Sequence, residues 1–146
     1  MNPSEKLDIR VVEDREDLER TFEIRDVVFI KEQNTPYDEE MDGLEDEAIH
    51  VIARVGEKAV GCGRIRFLGE RAKLERLAIL SEYRGRGIGR EILEFMVGIA
   101  RERGAAEAMM HAQCYADGFY RKCGFSPRGG EFMEAGIRHV KMYMKL

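Results

Sequence analysis

Apolar and polar positions alternate through "LDIRVV" (residues 7 to 12), the period-2 rhythm of a strand with one buried face, and the rhythm then lengthens. Across 14 to 33, Leu18, Phe22 and a cluster at Val27, Val28 and Phe29 fall at roughly helical spacing, which predicts one helix. "AIHVIARV" (48 to 55) and "KAVGCGRIRFL" (58 to 68) flank a short turn containing Gly56, where a hairpin needs glycine. A third strand, "AKLERLAIL" (72 to 80), runs straight into a glycine-rich loop. Beyond it, Ile88, Ile92, Leu93, Met96, Ile99 and Ala100 recur at steps of three and four and place one apolar stripe on a helix, with Gly104 as its stop. "AEAMMHAQ" (106 to 113) predicts a strand, "ADGFYRKCGF" (116 to 125) a short helix, and "GIRHVKMYMKL" (136 to 146) a final alternating strand. The order β-α-β-β-β-α-β-α-β predicts an α/β (α+β) fold: a mixed, mostly antiparallel sheet with helices on its faces.

Composition narrows the picture. A chain of 146 residues, 44% hydrophobic, with no linker or repeat, reads as a single domain over 1–146 able to bury a core without disulfides or metal. The net charge of -4 argues against a broad nucleic-acid surface, so any anion site must be local. Three cysteines without a C-x-x-C pair indicate neither a disulfide framework nor a zinc site, and suit a reducing, cytoplasmic setting. No apolar run approaches the roughly 18 residues that span a bilayer, and "MNPSEKLDIR" lacks a signal core, so neither membrane insertion nor secretion is expected. The run 38 to 47 holds seven acidic residues, but not at calcium-loop spacing, and no metal is expected. Such a field would steer a cationic substrate; equally, it would serve as a solvated loop.

The loop "YRGRGIGRE" (83 to 91) carries the chemistry. A Walker loop needs G-x-x-x-x-G-K-[ST], which is absent, and Gly85, Gly87 and Gly89 give G-x-G-x-G rather than the dinucleotide fingerprint G-x-G-x-x-G. What remains is the physics those designs share: small residues let the backbone turn, and the first amides of the following helix point at whatever sits above them. With Arg84, Arg86 and Arg90 alongside, that is an anion cradle. The plainer reading is a glycine turn with solvated arginines.

"LAILSEYRGRGIGREIL" resembles the acyl-CoA-binding segment of the GNAT N-acetyltransferase superfamily, whose R/Q-x-x-G-x-G/A pattern falls on Arg84, Gly87 and Gly89. "QCYADGFYRKCGF" is similar to that superfamily's second segment, with Tyr120 shortly before Gly124 and Phe125. "IRDVVFIKEQNTPYDEEMDGLEDEAIHVIA" and "GGEFMEAGIRHVKM" extend the resemblance to the ElaA-like subgroup, over nearly the whole chain. The resemblance implies a GNAT-like sheet splayed at the cofactor site. It also implies acetyl-CoA as cofactor, with its diphosphate on Arg84, Gly85, Arg86, Gly87, Ile88, Gly89 and Arg90. The pantetheine arm would run along the backbone of Leu77, Ala78 and Ile79. Gln113 stands where many members have asparagine, beside that arm.

The implied reaction is acetyl transfer to a primary amine, small-molecule or protein-borne, by direct attack in a ternary complex. A non-catalytic acyl-CoA sensor is the alternative, a homodimer is compatible, and no nucleic acid or membrane partner is implied. Such transfer needs an unprotonated amine, an oxyanion donor and a proton for the leaving thiolate. The resemblance supplies Tyr120 as the acid, and the amide of Ile79 or a neighbour is the oxyanion candidate. Glu75, two residues before Leu77 and expected on the same strand face, is the candidate base. Its plainer reading is a salt-bridged glutamate. Glu32 and Gln33 are expected beside the substrate, and His50 and His139 are candidate relays, since imidazole titrates in the neutral range.

Overall fold

The computed structural model describes residues 6–146. Its centre is a seven-stranded sheet in the order β1-β2-β3-β4-β5-β7-β6. The strands are β1 (Leu7–Val11), β2 (Ile49–Val55), β3 (Lys58–Leu68), β4 (Arg71–Ile79), β5 (Glu107–Gln113), β6 (Ser126–Glu134) and β7 (Ile137–Lys145). All neighbours are antiparallel except β4 and β5, as the mostly antiparallel expectation had it. β6 is the strand that the pattern did not reveal. It is an exposed edge strand with a register break between Arg128 and Phe132, and Pro127, Gly129 and Gly130 erase any alternation.

Helix α1 (Arg15–Arg25) starts at Asp14, whose carboxylate accepts from the Asp17 amide at 2.8 Å, and covers one face of the sheet. The single helix expected over 14 to 33 is instead two structures, because Asp26–Glu32 continues as a π-helix. A run of β-branched and aromatic residues, Val27 to Ile30, weakens α-helical preference there. The wider turn lays Val28 and Phe29 against Cys62 and Ala78 and ends at Glu32 and Gln33. A one-turn helix α2 (Tyr37–Glu40) follows. The opposite face carries α3 (Ile88–Glu102), which buries Ile88, Ile92, Leu93, Met96, Val97 and Ala100 over Val51, Ile65, Leu74 and Met110. Ile99 is partly buried at the edge of this core, and α4 (Asp117–Lys122) closes the same side through Phe119 and Tyr120.

Two features of β4 shape everything downstream. Its parallel pairing with β5 lasts only from Arg71↔Glu107 to Lys73↔Met109, after which the strands part. On its other edge, Cys62 pairs with Ala78 but Arg64 pairs with Glu75, so Gly63 alone faces both Arg76 and Leu77. This bulge is completed by Arg76 at φ 57, a left-handed conformation that few non-glycine residues adopt. It shifts the strand's parity. Leu74 and Leu77 both join the α3 core, while Glu75 and Ala78 lie on the α1 side. The expectation that Glu75 and Leu77 share a face is therefore corrected: one inserted residue turns them to opposite faces.

β3 approaches α3 closely because Gly61 and Gly63 lack side chains. A Cβ on Gly61 would lie 2.8 Å from Ile92 Cδ1 and 3.2 Å from the Ala78 carbonyl oxygen. Gly98 on α3 has open space around it. Gly61→Ala is expected to cost about 1–3 kcal/mol of stability through overpacking. Gly98→Ala should add about 0.5–1 kcal/mol by removing a helix-interior glycine. Urea unfolding of both variants checks the opposite signs.

Candidate active-site cleft

Where β4 and β5 part, a cleft of about 1170 Å³ passes through the sheet. Its α3 end is lined by the glycine loop, Ile79, Phe119 and Tyr120. Its α1 end is lined by Glu32, Gln33, α2, Glu75, His111, Glu134 and His139.

At the α3 end, Gly85 (φ 77) and Gly87 (φ 81) both sit in the left-handed region, and Gly87 is the N-cap of α3 with no side-chain cap. The Glu91 amide is the first to donate back, to the Gly87 carbonyl at 3.2 Å. The amides of Ile88, Gly89 and Arg90 have no carbonyl four residues earlier within the helix, so this helix start offers oriented donors for an anion. Gly89 needs no special backbone angle; its Cβ position would meet Phe119 at an ordinary 3.6 Å. Of the three arginines expected here, Arg84 and Arg90 line the cleft. Arg90 is also paired with Glu94 at 3.0 Å, and Arg84 donates through Nε to the Ile79 carbonyl at 2.9 Å and grips Glu32 at 2.9 and 3.0 Å. The Arg86 side chain does not line the cleft. It donates to the Glu82 carbonyl at 3.0 Å and lies over the Tyr83 ring, a correction to the three-arginine cradle.

Along β4, the Leu80 amide donates to the Val60 carbonyl at 2.9 Å, so strand alternation turns the Ile79 N–H away from β3 and into the gap. Tyr120 stands on the same side, edge-on to Phe119 (5.1 Å between centroids) and Phe125 (6.4 Å). Burial pushes its phenol up to about 12, so it stays protonated, and its hydroxyl has no hydrogen-bond partner among the described residues. Gln113 is tied across the gap to Gln33, donating to its side-chain oxygen at 2.9 Å. Gln33 also reaches the Tyr115 hydroxyl at 3.3 Å.

The α1 wall is an ionic network. Arg25 donates to both oxygens of Glu40 at 2.5 and 2.8 Å, with both residues almost fully buried, and to Glu45 at 3.2 Å. Arg64 meets Asp42 at 2.5 and 3.0 Å and Glu75 Oε2 at 2.9 Å; Arg66 holds Glu75 Oε1 at 2.5 Å. Arg76, from the bulge, donates to the Glu40 carbonyl at 3.0 Å and to Asp42 at 3.4 Å. Burial works to raise the Asp42 carboxyl, but hydrogen bonds from Arg64 and the Leu44 amide outweigh it and hold the group well below the usual carboxylate range. Glu75 is lowered in the same way: burial opposes, and the Arg64 charge with the Arg64 and Arg66 hydrogen bonds prevails. With both oxygens committed to guanidiniums, Glu75 is built as an anchor and is a weak proton acceptor.

The histidines divide. His50 lies outside the cleft, buried at the back of β2 with Nε2 2.8 Å from the Glu45 carbonyl, and burial first, then Arg25 and Arg64, lower its pKa; it is a structural residue and not a relay at this site. His139 does line the cleft, with Nδ1 2.7 Å from the Ile137 carbonyl. His111 and Glu134, which the pattern did not single out, are joined at 3.0 Å beside it. Alternation back from Gln113 carried the signal for His111, since the two share a strand face. Glu134 lay in the strand that was missed.

A family model described as "Acetyltransferase (GNAT) domain" matches residues 16–146. The chain is 39% identical over 133 residues to the uncharacterized N-acetyltransferase YjcF of Bacillus subtilis, covering 90% of this chain and 95% of that one. Among solved structures, Escherichia coli ElaA superposes with a TM-score of 0.84 at 20% identity, over 97% of this chain and 99% of that one. A Bacillus subtilis acetyltransferase in complex with CoA superposes with a TM-score of 0.74 at 16% identity, over 97% and 99%. At such identities these two speak for the fold.

Asp42 and Glu75 have folded-state pKa values below those of the unfolded chain, so their ionisation stabilises the protein above about pH 4 and the contribution fades as pH falls through the folded values. Unfolding free energy, measured in urea from neutral to acidic pH, should decline below about pH 4, and Asp42→Asn should decline less steeply from a lower plateau.

Proposed function

The chain belongs to the GNAT acetyltransferase family, and from that premise we propose that it moves the acetyl group of acetyl-CoA to a primary amine by direct attack in a ternary complex. The observation that carries this reading is the cleft itself. One passage through the sheet has a helix-start anion cradle and a protonated tyrosine on its α3 side, and a polar chamber on its α1 side. The amides of residues 88 to 90 suit a diphosphate. The gap edge of β4 at Leu77 and Ile79 suits an amide-bearing arm that pairs as an added strand would. The Ile79 N–H, turned into the gap, is the oxyanion donor. Tyr120 donates its proton to the leaving sulfur, a role that fits a phenol raised to about 12 with a hydroxyl free of other partners. Ala78 packs its side chain toward α1 and, two residues before Leu80, turns its backbone to Cys62 on β3, so the Ile79 amide is the one that faces the gap. The acceptor enters from the α1 side, where Gln33 and His139 stand at the chamber and Glu32 holds Arg84 in place.

A sensor that binds acyl-CoA without turnover would use the same cradle but has no need of a half-buried phenol whose hydroxyl is left free at the gap. Tyr120→Phe separates the two readings. It should leave acetyl-CoA affinity within about threefold by calorimetry while lowering amine-dependent release of the CoA thiol by about 10²-fold or more. Equal release by both proteins contradicts the assignment of Tyr120. Absence of acetyl-CoA binding by the folded, unaltered protein contradicts the whole reading.

A further inference from the structure

We propose that His111 is the group that takes the proton from the acceptor amine, and that Glu134 is the positioning residue that fixes its tautomer; this rests on the amine-transfer reading above. Met109 is the last residue of β5 paired with β4. Ala108, Met110 and Ala112 pack into the α3 core, so Met109, His111 and Gln113 face the α1 side. His111 is therefore the first side chain on that face beyond the point where the strands part, at the apex of the cleft. The acid and the base then stand on opposite faces of the gap, Tyr120 on the α3 side and His111 on the α1 side, so the two proton transfers have separate routes.

The hydrogen bonds define the chemistry of the ring. His111 Nδ1 lies 3.0 Å from Glu134 Oε1. The His111 hydrogen bond, against the opposing effect of burial, holds Glu134 below the usual carboxylate range, so at neutral pH it is ionised and can only accept. Nδ1 then carries the hydrogen, and in the neutral ring Nε2 keeps its lone pair. Nε2 has no hydrogen-bond partner among the described residues, and the side chain retains 20% exposure within the cleft. Phe132 meets the ring edge-on at 5.0 Å and restricts its tilt.

The other groups facing this point are less suited. His139 is 7% exposed at its side chain, its Nδ1 is bound to the Ile137 carbonyl, and its Nε2 faces Glu134 Oε2 at 3.8 Å. Glu75 is held by two guanidiniums, and Glu32 by Arg84. Lys73 on β4 and Lys141, in register with His111 on β7, are cations. The balance is simple. The ammonium gives one proton to Nε2, the imidazolium is stabilised by Glu134, and that proton passes to solvent. The neutral nitrogen forms the C–N bond as the C–S bond breaks, and its second proton replaces the one that Tyr120 gives to sulfur.

A ring that only tied β5 to β6 would matter equally for every acceptor. A base matters for an amine that arrives charged and little for one that arrives neutral. The test compares n-butylamine, an ammonium at neutral pH, with 4-methoxyaniline, already neutral there, on the acetyl-CoA-loaded protein. His111→Gln should lower kcat/KM for n-butylamine by about 10²-fold or more and for 4-methoxyaniline by less than about tenfold, with acetyl-CoA affinity unchanged. Glu134→Leu should lower kcat for n-butylamine with KM held, and Glu134→Gln, which keeps an oxygen for Nδ1–H, should restore most of it. Equal losses for both amines, or none, would overturn the roles of His111 and Glu134 and leave the amine-transfer reading standing. An unaltered protein that binds acetyl-CoA and acetylates neither amine overturns that reading, and this inference with it.

Discussion

Two parallel strands that pair over three residues and then separate leave a row of backbone donors and acceptors facing each other across a gap. Backbone groups of that kind are not left unpaired away from water, so the gap must hold solvent or a ligand that pairs as a strand does. Everything else in the cleft follows from this parting. The bulge at Arg76 turns Leu77 into the α3 core and Glu75 out of it, leaving Ile79 with its N–H toward the gap. The loop after β4 then delivers the start of α3 to the same opening, so that the strand edge and the helix amides line one cleft.

The α1 wall of the cleft is braced by charge. Arg25, Arg64 and Arg76 reach from α1, β3 and the bulge to Glu40, Asp42, Glu45 and Glu75. Buried guanidiniums are tolerated only when paired, and removing one partner of such a pair costs about 3–5 kcal/mol. The acidic run of residues 38 to 47 thus divides in two. Glu40, Asp42 and Glu45 fold inward to neutralise arginines, while Asp38 and Glu39 line the cleft and make no side-chain ion pair among the described residues. The steering and solvation readings of that run both described a free surface; three of its seven acids form a structural wall, while Asp46 and Glu47 stay exposed.

Much of the fold was legible in the sequence because periodicity reports burial. The stripe from Ile88 to Ala100 belongs to a helix that buries that one face, while β2 and β3, covered on both faces, read as apolar runs bounded by a glycine turn. The glycine spacing was likewise legible, since Gly85 and Gly87 occupy backbone angles that favour glycine. What escaped was whatever does not repeat. A bulge adds one residue without marking itself in the pattern, so Glu75 was assigned to the wrong face. An exposed edge strand such as β6 has no alternation to read, and with it went Glu134. The π-helix hid inside an apolar cluster that either helix type can carry. Arg86 was placed by its position in the loop and His50 by its residue type alone, and the Tyr83 ring for one and the Glu45 carbonyl for the other hold their side chains elsewhere.

On the reading proposed above, the unpaired edge of β4 and the start of α3 receive one ligand together. Residue-by-residue amide hydrogen exchange, with and without saturating acetyl-CoA, tests it most directly. Slowed exchange at Leu77, Ile79 and the amides of residues 85 to 90, with the β1–β2 pair unchanged, is the result this account requires. Binding that leaves those amides at their free rates, or protects another part of the sheet, contradicts it.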